Sequence, residues 1–488
     1  MVNDENAAVG VVSTAGTREP AELGVAAAAA AIRDGDITAE SYSAELLRRA
    51  REHADLNSFI TIDESAVLAA AREADKARAA GSTAPLLGVP IGVKDSYVTR
   101  GLRTTLGMEI LESHEPVDDA DVVAAIKGAG GVVFGKNNLV EMSFGLTGDN
   151  RRYGQVKNPY GRGHVSGGSS SGSAASVAAR IVPAALGGDT VGSIRVPASL
   201  CGVVGFKPTT GRWPGGGIAP ISHTLDTAGV LARTVEDCAL IDQIVTKEAG
   251  AVSSRRSDLK GAKFAYAPRQ YLELVDPETE AHFKDALQRL RDAGADVVEI
   301  DLGEDFSLIA DRLTWNIFFR ETREAVSAFL RQNNFPVSFD HIYYGLKSEL
   351  REVWGDLVLP GGRGFISPET YDATLSVDRP ELQRRLGEVF VHGGFDALLF
   401  PTTPCTAPLI EHRSRFTIAG EEVSDLLLAK NTVPASGAGL PGVSIPIGLA
   451  ANGLPVGIEI DGAHGRDREL LDLARRAQAV FDTLPAPA

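Results

Sequence analysis

Two glycine-rich segments carry serines in a setting suited to nucleophilic chemistry. The first is Gly167-Gly168-Ser169-Ser170-Ser171-Gly172-Ser173, and the second runs from 189 to 197 with Ser193 at its centre. Glycine permits backbone conformations that turn several N–H groups toward one developing negative charge. A serine in such a loop therefore indicates acyl transfer through a covalent intermediate.

A serine hydroxyl is a weak nucleophile until a base accepts its proton, and Lys94 is the candidate base. Lys94 ends the alternating apolar segment 88–94, which predicts a buried strand. Burial would lower the pKa of a lysine from about 10.4 toward neutrality and leave an amine able to accept a proton. A structural ion pair between Lys94 and a buried carboxylate is the alternative. Asp189 and Arg195, on either side of Ser193, are predicted to hold the loop and not to react.

At these residues the chain resembles the amidase signature family of serine hydrolases. The spacing of Lys94, Ser169 and Ser193 agrees with the Lys, cis-Ser, Ser triad of that family. Other matching motifs are Gly135-Lys136-Asn137-Asn138, Asn158-Pro159-Tyr160 and Gly205-Phe206-Lys207-Pro208-Thr209. Segments 211–217 and 220–227 look most like the mandelamide hydrolase and indoleacetamide hydrolase branch. The resemblance is strong over residues 60–240 and looser over residues 395–481.

The resemblance implies a mechanism and a set of roles. Lys94 would be the base, and Ser193 the nucleophile. Ser169, which would follow a cis Gly168–Ser169 peptide bond, would relay the proton between them. The oxyanion would bind to backbone N–H groups, and the pocket wall would include residues just before the first serine loop. The implied oxyanion-hole residues are Thr190, Val191, Gly192 and Ser193, and the implied substrate-binding residues are Met142, Ser143, Phe144 and Val191.

One residue departs from the family pattern. The family usually has glycine at the position of Val191, and a β-branched residue is poorly suited to positive φ. Because the oxyanion needs only the backbone N–H, we expect catalysis to survive this change. The isopropyl group is then expected to narrow or line the pocket.

Other interpretations of the same residues stay open at this point. Segment 168–172 also fits the G-x-S-x-G nucleophile elbow of an α/β-hydrolase esterase, with Ser170 as nucleophile. Segment 130–136 fits the start of a phosphate-binding loop, but Asn137 stands where that loop needs Ser or Thr. A third alternative is an amidotransferase subunit that delivers ammonia to a partner.

Composition restricts the partners of the chain. The 488 residues carry a formal net charge of −16, which argues against binding to nucleic acid. The three cysteines form no C-x-x-C pair, and no histidine pair has metal-ligand spacing, so a cytoplasmic location with neither cofactor nor metal is expected. No apolar run is long enough to span a membrane. We expect a small-molecule amide as the partner, and a homodimer stays open.

Hydrophobic periodicity predicts alternating helices and strands, hence a layered α/β fold, and a hairpin signal at Asn452-Gly453 indicates that its sheet is mixed. The resemblance implies the amidase signature fold, a large mixed central sheet covered by helices on both faces. Residues 1–18 are expected to form a flexible tail, and residues 19–488 a single amidase domain. Segment 305–375 is rich in aromatic residues and is a candidate helical lid or substrate-binding insertion. Predicted helices are 20–34, 39–53, 64–80, 119–129, 172–181, 235–247, 278–293, 305–332 and 467–481. Predicted strands are 58–62, 89–94, 131–134, 203–206, 263–267, 296–300, 396–400, 443–447 and 455–460, with a hairpin turn at Asn452-Gly453.

Overall fold

The structure, a computed structural model, describes residues 19–248 and 257–487. The predicted tail over residues 1–18 lies outside these described residues. No helix in the two described ranges is long and apolar enough to cross a membrane. The three cysteines, Cys201, Cys238 and Cys405, are buried free thiols.

Helices and strands alternate along the described chain. The strands are β1 Phe59–Thr61, β2 Pro90–Lys94, β3 Val132–Asn137, β4 Lys157–Asn158, β5 Gly161–Val165, β6 Ala184–Asp189, β7 Val204–Lys207, β8 Thr227–Ala232, β9 Lys263–Tyr266, β10 Asp296–Glu299, β11 Ala397–Pro401, β12 Arg415–Ile418, β13 Glu421–Ser424, β14 Gly442–Leu449 and β15 Pro455–Asp461. The helices are α1 Val25–Asp34, α2 Ala39–Glu52, α3 Glu64–Ala79, α4 Asp121–Gly128, α5 Ser171–Ala178, α6 Arg195–Cys201, α7 Val235–Thr246, α8 Pro268–Tyr271, α9 Pro277–Asp292, α10 Phe306–Gln332, α11 Phe339–Gly345, α12 Ser348–Leu357, α13 Pro368–Ala373, α14 Arg379–Val391, α15 Val433–Ala438 and α16 Asp467–Gln478.

An 11-stranded mixed sheet organises these elements, in the order β1-β3-β2-β6-β8-β7-β14-β15-β11-β9-β10. β2 runs parallel to both β3 and β6, whereas β8, β7, β14 and β15 form a run of antiparallel neighbours. β14 and β15 pair through the turn at Asn452-Gly453, where Gly453 has φ 77°, so the hairpin prediction is confirmed. The two-stranded ribbons β4–β5 and β12–β13 lie apart from this sheet.

Both faces of the sheet are covered. Along β11, Leu399 packs into one apolar cluster while Leu398 and Phe400 pack into a second one. Successive side chains of a strand point to opposite faces, so the two clusters are the two cores of a layered fold. The predicted α/β class with a large mixed sheet between helical layers is confirmed.

The predicted helices with strong periodicity are present with bounds shifted by a few residues, whereas two central strands were not predicted. β6 has the sequence Ala-Ala-Leu-Gly-Gly-Asp, and β8 the sequence Thr-Ala-Gly-Val-Leu-Ala. Alanine and glycine have low strand propensity, and β6 contains no β-branched residue. Burial between neighbouring strands therefore determines β6, with no contribution from a local pattern.

Candidate active site

The site lies where two parallel strands end side by side. β2 pairs with β6 in the register Ile91–Ala184, Gly92–Ala185 and Val93–Leu186. The carboxyl ends of parallel neighbours meet at one edge of a sheet, and ligands of open α/β sheets bind at such edges. Lys94 is the last residue of β2, and residues 190–193 directly follow the end of β6 at Asp189. The topology thus brings the predicted base to the predicted oxyanion loop.

Lys94 is 1% exposed, and its Nζ donates to Ser169 Oγ at 2.7 Å. Burial lowers the pKa of Lys94 to about 7, and the carboxylates of Asp226 and Asp189 oppose that shift. A lysine with this pKa is partly neutral at physiological pH, so it can accept a proton from the hydroxyl that it contacts. The predicted pairing of Lys94 with Ser169 is present.

The first serine loop leads into α5 and is held against the second. The Gly168–Ser169 peptide bond is cis, and the N–H of Ser170 donates to the carbonyl of Ser193 at 3.2 Å. Ser193 is 4% exposed. Ser170 Oγ donates to the carbonyl of Gly188 and accepts from its N–H, both at 3.2 Å. The hydroxyl of Ser170 is therefore used in holding the loop, with no histidine among its partners in the described chain.

The second loop presents unused backbone donors. No hydrogen bond in the described residues uses the N–H groups of Thr190, Val191, Gly192 or Ser193. Buried N–H groups are almost always paired, so a run of free donors beside two serines indicates a place for a negative charge. These are the four residues predicted for the oxyanion hole. Val191 is absent from the positive-φ residues, whereas Gly192 has φ 140°, so the β-branched residue occupies an ordinary conformation.

Asp189 and Arg195 anchor the end of that loop. Asp189 Oδ2 accepts from the N–H groups of Ile194 and Arg195 and from Arg195 Nε, and Asp189 Oδ1 accepts from Arg195 Nη2 at 3.0 Å. Both side chains are fully buried, and Arg195 also donates to Ser436 Oγ at 2.8 Å. A bidentate buried pair fixes geometry on both sides of Ser193. The prediction that these two residues hold the loop is confirmed.

Asp226 is a residue for which the sequence analysis assigned no role. Its Oδ1 accepts from Thr190 Oγ1 at 2.6 Å, and its Oδ2 accepts from the N–H groups of Ile221 and Ser222. Burial raises the pKa of Asp226 to about 6, although these hydrogen bonds oppose the shift. Asp226 is also the first among the charges that raise the pKa of Lys94. The sequence does not single it out, because nothing in its own segment, 220–227, indicates that it lies near β2.

A cavity of about 610 Å³ opens onto this edge of the sheet. Lys94, Ser169, Thr190, Asp226 and the predicted pocket residue Ser143 line it. The other predicted pocket residues, Met142, Phe144 and Val191, and the predicted nucleophile Ser193, are not among its lining residues. Met142 and Val191 pack in the apolar cores.

Helix α10 forms the opposite wall with Ala325, Ala328 and Phe329. Most aromatic residues of segment 305–375 contact one another. The ring pairs are Trp315–Phe318 at 5.2 Å, Trp315–Phe319 at 5.8 Å and Phe339–Trp354 at 5.4 Å. Phe144 joins them, with its ring 4.9 Å from Phe318 and 5.0 Å from Trp354. Glu324, Gln332 and Asn333 also line the cavity, so the segment meets it through small and polar residues, with Phe329 as the aromatic residue among them.

Glu321 ties α10 to the loop that holds Asp226. The buried carboxylate of Glu321 accepts from Thr224 N at 3.0 Å and from Thr224 Oγ1 at 2.6 Å, and it also accepts from Ser222 Oγ and Tyr371 OH. The wall and the loop are consequently one hydrogen-bonded unit.

Comparisons with known proteins agree with this geometry. The Amidase family profile matches residues 43–471. Mandelamide hydrolase of Pseudomonas putida is 36% identical over 480 residues, covering 96% of this chain and 93% of that protein. Indoleacetamide hydrolase of Pseudomonas savastanoi is 35% identical, covering 92% of this chain and 95% of that protein. A glutamyl-tRNA(Gln) amidotransferase subunit from Roseiflexus sp. (strain RS-1) is 34% identical, covering 94% of this chain and 97% of that protein.

A crystal structure of an amidase aligns with a TM-score of 0.84 and 27% identity, covering 94% of this chain and all of that one. The predicted resemblance, including its branch, is confirmed by these matches. The chain belongs to the amidase signature family and is an amide-hydrolysing enzyme.

Proposed function

We propose that this enzyme cleaves carboxamide C–N bonds by acyl transfer to Ser193, with Ser169 as relay and Lys94 as base. The observation that carries the proposal is the 2.7 Å contact between Lys94 Nζ and Ser169 Oγ inside a buried site. A neutral Lys94 accepts the Ser169 proton while Ser169 accepts the proton of Ser193, whose Oγ attacks the carbonyl carbon. The unused N–H groups of residues 190–193 receive the oxyanion.

The second half of the reaction returns the protons. Collapse of the tetrahedral intermediate breaks the C–N bond, and the leaving amine takes a proton through Ser169 from the Lys94 ammonium. The acyl group stays on Ser193 as an ester. Water then attacks that ester by the same route, and the carboxylic acid leaves.

The cavity favours an uncharged substrate with an apolar group. Among the described residues that line the cavity, Lys94 is the one lysine or arginine. Three acidic residues line it as well, namely Asp189, Asp226 and Glu324. A substrate carboxylate would therefore meet acidic neighbours with no arginine to pair it. This charge pattern supports a neutral amide over glutamine, and hence a free-standing amidase over an ammonia-delivering subunit.

The apolar part of the cavity suits an aryl ring. Trp213, Ile218 and Phe329 line it together with small residues, and such walls bury rings favourably. The names of the two hydrolase relatives, mandelamide and indoleacetamide hydrolase, describe aryl-bearing amides. An oxyanion hole binds the carbonyl oxygen and does not distinguish the other atoms bonded to the carbonyl carbon. Anilides, aryl esters and aryl carbamates (urethanes) therefore belong to the proposed range of substrates.

The nucleophile assignment is tested with alanine variants and a covalent probe. Ser193→Ala, Ser169→Ala and Lys94→Ala should each lower kcat by about 10⁴-fold or more, since groups that act as a unit fail together. Ser170→Ala should be milder because, among the described residues, that hydroxyl makes its hydrogen bonds to the backbone of Gly188. A phosphonyl fluoride followed by peptide mass spectrometry should label Ser193. Labelling at Ser170, or full turnover by Ser193→Ala, contradicts the proposal.

The substrate assignment needs a matched series. We expect a higher kcat/KM for phenylacetamide than for butyramide, measurable turnover of an anilide and an aryl carbamate, and no ammonia release from glutamine. A higher kcat/KM for butyramide would overturn the proposed preference for aryl substrates, but it would not contradict the proposed acyl transfer to Ser193. Ammonia release from glutamine would instead favour the amidotransferase alternative.

A further inference from the structure

The hydroxyl of Thr432 holds the peptide group at the centre of the loop 190–193. Thr432 is fully buried just before α15, and its Oγ1 donates to the carbonyl of Val191 at 2.6 Å. The carbonyl of Ala429, within the same turn of chain, is a second acceptor at 3.0 Å. A hydroxyl has a single hydrogen, so the shorter contact to Val191 sets its direction.

That contact determines where the next N–H points. Gly168–Ser169 is the cis peptide in the described chain, so the Val191–Gly192 peptide is trans, with its carbonyl and N–H on opposite sides. Holding the Val191 carbonyl toward Thr432 turns the N–H of Gly192 away from Thr432. That N–H is one of the donors without an acceptor in the described residues.

The loop is fitted closely to the threonine. A Cβ added at Gly192 would lie 2.3 Å from Thr432 Oγ1 and 3.1 Å from Val196 Cγ2. Gly192 also has φ 140°, where glycine is favoured. Glycine is therefore required at this position, both for its conformation and for the approach of the Thr432 hydroxyl.

Three side chains hold three points along this loop and its end. Asp226 accepts from the Thr190 hydroxyl, Asp189 accepts from the N–H of Ile194, and Thr432 donates to the Val191 carbonyl. Of these three contacts, the one from Thr432 is made to the peptide group whose N–H precedes Ser193. A rotation of that peptide would move an oxyanion donor and leave both ends of the loop in place.

We propose that Thr432 is a positioning residue that aims the Gly192 N–H at the oxyanion of the acyl-transfer transition state. The inference rests on the proposed function of Ser193. Thr432 is not among the residues that line the cavity. Its effect should therefore appear in kcat and in affinity for an oxyanion-like inhibitor, while ground-state binding of substrate stays nearly constant.

The test compares Thr432→Val, which keeps the shape and removes the donor, with Thr432→Ser, which keeps the hydroxyl. Loss of one oxyanion donor costs about 10²- to 10³-fold in kcat, and its misorientation should cost about 10- to 100-fold. We expect Thr432→Val to lose that much kcat and the same factor in affinity for phenylboronic acid, with KM within about twofold. Thr432→Ser should recover most of both. Thr246→Val, which removes a hydroxyl bound to the Asp242 carbonyl on α7, is the control.

Several outcomes overturn the inference. One is a folded Thr432→Val enzyme with wild-type kcat. Another is equal loss in the Val and Ser variants with lowered thermal stability, which would mean that Thr432 only packs. If Thr432→Val does not fold, Thr432→Ala against Thr432→Ser makes the same comparison. Ser193→Ala run in parallel separates the two proposals. An active Ser193→Ala refutes the proposed function, whereas an inactive Ser193→Ala with a fully active Thr432→Val refutes the role of Thr432 alone.

Discussion

Lys94 and Lys136 lie on neighbouring strands and are both buried, but the groups around their ammonium nitrogens differ. Lys136, in β3, contacts Asp95 Oδ1 at 2.9 Å and donates to the Tyr97 carbonyl at 2.8 Å and to Thr104 Oγ1 at 2.7 Å. The Arg103 carbonyl is a further acceptor at 3.3 Å, so the three N–H donors of the ammonium have three acceptors, and the Asp95 carboxylate lies beside them as the ion-pair partner.

Lys94, at the end of β2, has one hydrogen-bond partner in the described chain, the Ser169 hydroxyl. Burial lowers the pKa of both lysines, but Asp95 opposes the shift by direct contact at Lys136, whereas Asp226 and Asp189 oppose it at Lys94 without a hydrogen bond to Nζ. The number and charge of the neighbouring groups, and not the depth of burial, distinguish the ion-paired Lys136 from Lys94, the proposed base.

The strongest test of this difference removes each ammonium in turn. Lys136→Met leaves Asp95 as an unpaired buried charge, which should lower the free energy of unfolding by about 3–5 kcal/mol. Lys94→Met removes a lysine that is costly to bury, so the protein should stay folded while kcat falls by about 10⁴-fold. Thermal melts followed by circular dichroism, with phenylacetamide turnover, measure both. A stable Lys136→Met or an unfolded Lys94→Met would reverse the comparison.

The pH dependence of the wild-type enzyme sharpens the comparison. The pKa of Lys94 is lowered to about 7, so Lys94 is protonated and inactive below that pH and neutral above it. We expect kcat/KM to rise with pH, with a midpoint near the pKa of Lys94, and to stay level on the alkaline side. A profile that is flat between pH 5 and 9, or a rise near the ordinary pKa of a lysine, would mean that Lys94 is not the base.

Much of the fold could be predicted from the sequence where local patterns and burial agree. α10 and α16 have long amphipathic periods, and β14 and β15 flank the Asn452-Gly453 turn. β6 and β8 could not be predicted because their alanine and glycine residues have no strand pattern, although they occupy the centre of the sheet. α14, which begins with Arg379-Pro380, follows a π-helical turn and was also not predicted.

The residues of the candidate site also fall into two groups, those that a local sequence pattern indicates and those that it does not. Lys94, Ser169 and Ser193 stand in glycine-rich or strand-end contexts that indicate their chemistry, so sequence reasoning could single them out. Asp226 and Thr432 contact the loop across 36 and 241 residues of sequence, at Thr190 and at Val191. A threonine or an aspartate without a motif has no local signal of such a contact, since only the folded sheet brings the segments together.

The smallest expected effect concerns Asp226. Its carboxylate raises the pKa of Lys94, so removing the charge in Asp226→Asn should lower that pKa and move the rising limb of kcat/KM to lower pH. The pKa of Asp226 is itself raised to about 6, so Asp226 is charged above that pH and the limb near pH 7 senses it. The shift should be up to about one pH unit, because opposite charges at short range move a pKa by about 1–3 units and this pair shares no hydrogen bond. Asparagine retains groups that can bond to Thr190 and to the loop N–H groups, so the fold should persist.

The matched control for that shift is Glu324→Gln, which removes an exposed carboxylate from the wall of the same cavity. Solvent screens an exposed charge, so the limb should stay where it is in the wild-type enzyme. If both variants shift the rising limb of the pH profile of kcat/KM equally, the pKa of Lys94 depends only on the net charge around the cavity. If Asp226→Asn moves the limb to higher pH, the buried carboxylate does not stabilise the Lys94 ammonium. In that case the difference between Lys94 and Lys136 must arise from hydrogen bonding without a contribution from neighbouring charge.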